Sequence, residues 1–118
     1  VSEGSDALSD EDSKLVTLAR AVRARNGAAA GAAVRDETGR TYAATPVTLP
    51  SLRVSAVQAA VVMAIASGAT GLEAAAVVAG DDGPLGETDR AVVREFGGPA
   101  APLHVVGPDG ALRATVTG

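Results

Sequence analysis

The amino-acid sequence predicts an α/β fold, a three-layer α/β/α sandwich around a mixed sheet of about five strands. Three observations lead there. Helical and extended segments alternate in the order α-β-β-α-β-α-β-β, so that a helix and a hairpin precede β-α-β crossovers, which put helices on both faces of one sheet. The run Leu72 to Ala79 is apolar nearly throughout, as in a strand covered on both faces. At 118 residues the chain has the length of one domain with one core.

Residues 1–8 are acidic, small and aperiodic and are expected to be a disordered tail, with a single domain from 9 to 118. Ser9 with Asp12 three residues on makes a capping-box-like helix start. Leu15, Leu18, Ala19 and Val22 then fall on one helical face, and Asn26-Gly27 stop the helix. Ala28 to Val34, a turn from Arg35 to Arg40, and Thr41 to Ala44 read as a hairpin, and Thr45 to Leu49 as a loop. Pro50 to Ser67 is the central helix. Between Val54 and Ala66 only Ser55 and Gln58 are polar, so this helix is expected inside the protein, touched from several sides. It is too short to span a bilayer, which needs about 20 apolar residues. Gly68 to Gly71 turn into the strand Leu72 to Ala79, and Asp81 to Pro84 form a loop. A third helix runs from Glu87 to Phe96 with Thr88 as N-cap; Leu103 to Val106 and Leu112 to Val116 close the chain as strands around the turn Gly107 to Gly110.

Hydrophobic residues make up 47% of the chain and aromatics 2%, Tyr42 and Phe96 alone. A core of Ala, Val and Leu buries little area per side chain, so subunit association is expected to add stability. A net charge of -4 argues against a phosphate-backbone binder, and nucleic acid and membrane are not expected partners. With no Cys and one His there is neither a disulfide framework nor a thiolate or imidazole zinc site. The acidic start is the reverse of a signal peptide, which makes the cytoplasm the expected compartment. Abundant Ala and Arg with a single Lys is a composition associated with GC-rich bacterial coding.

Among the polar groups, Ser55 and Gln58 sit one turn apart and read either as a remnant ligand pocket or as groups with partners inside the protein. Asp81, Asp82, Glu87 and Asp89 lack the spacing of a calcium loop and read as a solvated acidic loop with carboxylates at a helix N-terminus. His104 reads as a packed strand residue. Arg53 is expected to pair with an acid across an interface. Gly83 to Gly86 lacks the Lys-Ser/Thr of a phosphate loop.

The element order and several phrases resemble the small, homotetrameric cytidine deaminase family. The likeness spans nearly the whole chain: LSDED before the first helix, GAAVRDETGRTYAA at the hairpin, the Ala-rich central helix, VVREFG in the third helix and HVVGPDGALRATV at the closing hairpin. The resemblance implies the fold above. It also implies, for active members, a zinc held by one Cys or His and two Cys, with a proton-shuttling Glu, in H/C-x-E and P-C-x-x-C arrangements. The first motif falls on Val54-Ser55-Ala56, with Val54 at the ligand position and Ala56 at the shuttle position. The second falls on Pro84 to Thr88, where Leu85 and Thr88 replace the thiolates; the register set by Glu95-Phe96-Gly97 is shifted by one and offers Gly86 and Asp89. Neither register supplies a zinc site. The family's ribose-holding N-x-E falls on Thr45-Pro46-Val47 in a shorter loop, and its C-terminal aromatic extension has no counterpart up to Gly118.

These substitutions in a family frame lead to the expectation of a catalytically inactive, zinc-less member, a pseudoenzyme without cofactor. It is expected to form a homodimer or homotetramer through its central and third helices, with a structural or regulatory role. Val54, Ala56 and Leu85 would turn a wet site into apolar packing. Two alternatives stay open. One is a sensor that binds a pyrimidine nucleoside, or another protein, with Thr45, Val47, Ser55 and Gln58 as candidate contacts. The other is a genuine cytidine or deoxycytidine deaminase with another metal arrangement.

Overall fold

The structure, a computed structural model, describes residues 8–79 and 86–117. Helix α1, Asp10–Asn26, starts where the Ser9 hydroxyl accepts a hydrogen bond from the Asp12 amide at 3.0 Å, as the capping pattern predicts. It ends at Gly27, whose φ of 60° is left-handed, while the amides of Gly27 and Ala28 donate to the Ala24 and Arg23 carbonyls. Strands β1 (Ala30–Asp36) and β2 (Thr41–Ala44) form the expected hairpin. They are followed by β3 (Val47–Leu49), β4 (Leu52–Val54), helix α2 (Ala56–Ala66), β5 (Leu72–Ala79), helix α3 (Glu87–Gly97), β6 (Leu103–Val106) and β7 (Leu112–Val116). The main sheet has five strands in the order β2-β1-β5-β6-β7. β5 and β6 are parallel, joined through α3, and the remaining neighbours are antiparallel. This is the predicted α/β sandwich with a mixed five-strand sheet.

Strand alternation divides the core between the two faces of the sheet. Ala32, Val34, Ala75, Val77 and Leu103 pack with α2 and α3, while Ala33, Ala74, Ala76, Val78 and Val106 pack under Leu15 and Ala19 of α1. Small residues let helix and sheet come close. A Cβ on Gly31 of β1 would run into the Ala19 carbonyl oxygen and lie 2.9 Å from Arg23 Cβ, so only glycine fits beneath α1 there. Among the described residues no helix is long and apolar enough to cross a membrane.

Four expectations need correction. The central helix does not begin at Pro50: Ser55 caps it, and Pro50-Ser51 is instead the two-residue turn of a small hairpin in which Val47 pairs with Val54 and Leu49 with Leu52. The segment read as a loop therefore contains a strand. The central helix is not enclosed either, because Val62, Met63 and Ile65 stand half exposed. α3 is capped by Gly86 without a side-chain bond, and Thr88 lies exposed in its first turn. Leu8 apart, the expected tail lies outside the described residues, as do Asp81, Asp82, Gly83, Pro84 and Leu85.

Candidate functional site

The first turns of α2 and α3 meet. Ser55 is the N-cap of α2, and its backbone amide and side chain complete a reciprocal capping box with Gln58: Ser55 Oγ accepts from the Gln58 amide at 3.1 Å, and Gln58 Oε1 accepts from the Ser55 amide at 2.9 Å. The Ser55 hydroxyl donates its proton across the helix interface to Asp89 Oδ1 at 2.6 Å, a short charge-assisted bond. Asp89 is the third helical residue of α3, where a carboxylate is favoured by the helix dipole. Two residues after Ser55, Val57 is fully buried, and Ala56 is nearly so.

The candidate residues among those described fall in more than one place. Val54 closes β4 and packs its side chain against the core, while the side chain that reaches α3 is that of Ser55. Thr88 points to solvent, Glu87 is exposed, and Leu85 lies outside the described residues. The Ser55 hydroxyl is thus bonded to the Gln58 amide and to Asp89, and the Gln58 side-chain oxygen to the Ser55 amide. Thr45 and Val47 line a cavity of about 270 Å³ between the small hairpin and α2 that also touches Leu52, Val54, Val62 and Met63. Its walls are almost wholly apolar, and Thr45 Oγ1 already accepts a bond from Asn26 Nδ2 at 3.0 Å. The Ser-x-x-Gln signature just before an apolar run was the sequence signal for the helix start. Nothing local signals the Ser55–Asp89 pairing, which joins residues 34 positions apart.

The zinc that the family resemblance implies finds a poor donor set here. A register on Ser55, Gly86 and Asp89 offers one carboxylate, one hydroxyl that already donates to that carboxylate, and Gly86 without a side chain. The register of Val54 and Thr88 offers one exposed hydroxyl. Protein zinc takes Cys, His and carboxylate ligands, at least three together. These residues do not fit it, and among the described residues no group of three or more His, Cys, Asp or Glu is placed to hold a metal ion.

His104 lies on the other side of the sheet, 5% exposed. Its Nε2 is 2.8 Å from Asp12 Oδ2 and its Nδ1 2.9 Å from Thr115 Oγ1. A carboxylate only accepts, so Nε2 carries a proton. Arg35 joins the same carboxylate at 2.9 Å and Glu73 at 2.8 Å. Burial pushes the Asp12 carboxyl up, and the bonds from His104 and Arg35 outweigh it and hold the group below its ordinary value. The cluster ties α1 to β1, β5, β6 and β7, the packed role expected for His104.

Comparison with known proteins places these features in a family frame. A family model described as cytidine deaminase-like matches residues 8–110. Among solved structures, a cytidine deaminase from Burkholderia pseudomallei superposes with a TM-score of 0.77 at 24% identity, over 93% of each chain, a likeness of fold. A cytidine deaminase from Mycobacterium leprae is 26% identical with a TM-score of 0.66, over 90% of this chain and 93% of that one. One from Mycobacterium tuberculosis gives 26% and 0.66 over 90% of each. Comparison with curated proteins gives no match.

Proposed function

The chain belongs to the cytidine deaminase-like family, and from that premise we propose that it is a member that does not deaminate, a zinc-free, self-associating domain with a structural or regulatory role. The observation that carries this reading is the 2.6 Å hydrogen bond from Ser55 to Asp89, with Val57 buried two residues on. Active members bring a ligand-x-Glu stretch against a C-x-x-C stretch. Taking Ser55-Ala56-Val57 and Gly86 to Asp89 as those stretches puts a hydroxyl, a bare backbone and a carboxylate where ligands belong, and valine where the Glu belongs. This assignment replaces the one based on Val54, Ala56, Leu85 and Thr88. Attack on a cytosine ring needs an activated water and a group that moves protons. A hydroxyl committed to Asp89 and a valine supply neither. What the pair does supply is a link between the first turns of two helices, a hydrogen bond where active members are bridged by metal.

The test is incubation with cytidine and deoxycytidine in the presence of added zinc, with product read by chromatography and bound metal by elemental analysis. No turnover and no stoichiometric zinc are expected; one zinc per chain with uridine formation would overturn the reading. The register is tested by building the family's donors into it. Ser55→Cys, Val57→Glu, Gly86→Cys and Asp89→Cys together are expected to bind one zinc, since a Cβ on Gly86 would meet nothing nearer than Thr88 Oγ1 at 3.8 Å. The equivalent set at Val54, Ala56, Leu85 and Thr88 is expected to bind none.

A further inference from the structure

The cavity between the β3–β4 hairpin and α2 has two walls that local geometry lines up. Val47 and Val54 are cross-strand partners and Leu52 lies two residues before Val54, so all three side chains leave the hairpin on one face. Ala59, Val62 and Met63 follow at i, i+3 and i+4 along α2 and form the facing wall. Ala44 and Ala59 are nearly buried and make the floor, while Leu52, Val62 and Met63 are about half exposed and make the rim. Concave apolar pockets are the usual form of small-molecule sites. We propose that this cavity binds an uncharged aliphatic molecule of about ten carbons, such as a medium-chain alcohol.

Size and charge select that class. An aliphatic cavity of about 150 Å³ takes up benzene, so one of about 270 Å³ has room for about ten carbons. The room exists because two of the lining residues, Ala44 and Ala59, are small. No charged side chain lines the space: α2 carries none, and Arg53, between Leu52 and Val54, alternates to the other face of the hairpin. A carboxylate or phosphate on the ligand would therefore lack a counter-charge, and a base or a ribose would leave its polar groups unpaired against these walls. An aliphatic chain has no such cost. It leaves water together with the apolar walls, while a single hydroxyl at its end stays in solvent at the open mouth.

This inference requires neither the absence of turnover nor the self-association proposed above. Met63 is the one methionine of the sequence, so isotope labelling of methionine methyl groups gives a single NMR resonance at the rim of the cavity. Titration of the wild type with 1-hexanol, 1-octanol and 1-decanol is expected to shift that resonance saturably, with affinity rising about 4-fold for each added CH₂. 1-Dodecanol is expected to bind no more tightly than 1-decanol, because the cavity is then full. Ala59→Leu, which fills the floor and leaves the rim, is expected to abolish the shift while circular dichroism shows a folded protein; if it does not fold, the chain-length series on wild type decides alone. A folded Ala59→Leu that binds like wild type would put the ligand elsewhere and overturn the proposal. So would a shift that never saturates, or an affinity that keeps rising beyond 1-decanol, the mark of loose association with the rim. Octanoate binding as tightly as 1-octanol would overturn the assignment to an uncharged ligand. No shift with any alcohol, in a protein that sediments as a dimer or tetramer, would give the mouth to a second copy and overturn the proposal while leaving self-association standing.

Discussion

Asp36 shows how much one side chain can organise. Buried at the end of β1, it accepts from the Thr38 amide at 2.8 Å, the Thr38 hydroxyl at 2.7 Å, the Arg40 amide at 3.0 Å and the Tyr42 hydroxyl at 2.8 Å. Burial pushes its carboxyl up, but these bonds favour the charged form and lower it from an ordinary 3.8 to about 2. A depressed native pKa stabilises the fold above the unfolded value, and that contribution is lost as pH falls through the native one. Acid titration of the melting temperature is therefore expected to show a decline between 3.8 and about 2 that flattens in Asp36→Asn. A profile identical to wild type would remove Asp36 from the account. Turn residues of this kind were legible in the sequence, where Asp36 and Gly39 bracket the turn, but the reach of Tyr42 back to Asp36 was not.

At the scale of elements, the N-terminus of α2 depends on a side chain with two jobs. Replacing Ser55 by Ala removes the cap of α2 and leaves the partly buried Asp89 carboxylate without its donor, a loss of about 1–3 kcal/mol. Ser55→Thr keeps a hydroxyl and is expected to recover most of it. Urea denaturation of the two variants beside wild type reads the difference. Equal losses for Ala and Thr would mean that the hydroxyl is not the stabilising group. The start of this helix was misread because α2 is apolar all round, so hydrophobic periodicity carries no phase there. The Val-Thr-Leu-Pro-Ser-Leu-Arg-Val stretch held the correction, since its alternation about a Pro-Ser turn is the pattern of a hairpin. α1 carried a clean 3.6 period, β5 a near-continuous apolar run, and β1 was placed by the turn that follows it; these three were read correctly.

Across the whole molecule, the question is whether any nucleoside site survives the change of residues. The groups proposed as contacts fall in two places: the Ser55 hydroxyl is bonded to the Gln58 amide and to Asp89, and the Gln58 side-chain oxygen to the Ser55 amide, while Thr45 and Val47 line an apolar cavity that offers little to a base or a ribose. Saturating cytidine, deoxycytidine or uridine is expected to leave the melting temperature unchanged. A ligand at a hundred times its Kd would stabilise by about 2.7 kcal/mol, which is easily seen. A clear shift with one of them would establish the sensor reading in place of the structural one. A strong zinc chelator is likewise expected to change nothing, because the donors at the helix junction are already bonded to one another.

The sequence by itself determined the fold class, the five strands of the main sheet, most helix limits and the absence of any thiolate ligand. Those are written in local periods, caps, turn residues and the presence or absence of a donor atom. Only the tertiary structure decided that Ser55 meets Asp89, that the central helix starts after a hairpin, and that one side of it is bare. Each of these depends on how two distant segments face one another. An apolar helix without a polar stripe does not declare which side it turns to the core, and a hydroxyl does not name its partner 34 residues away.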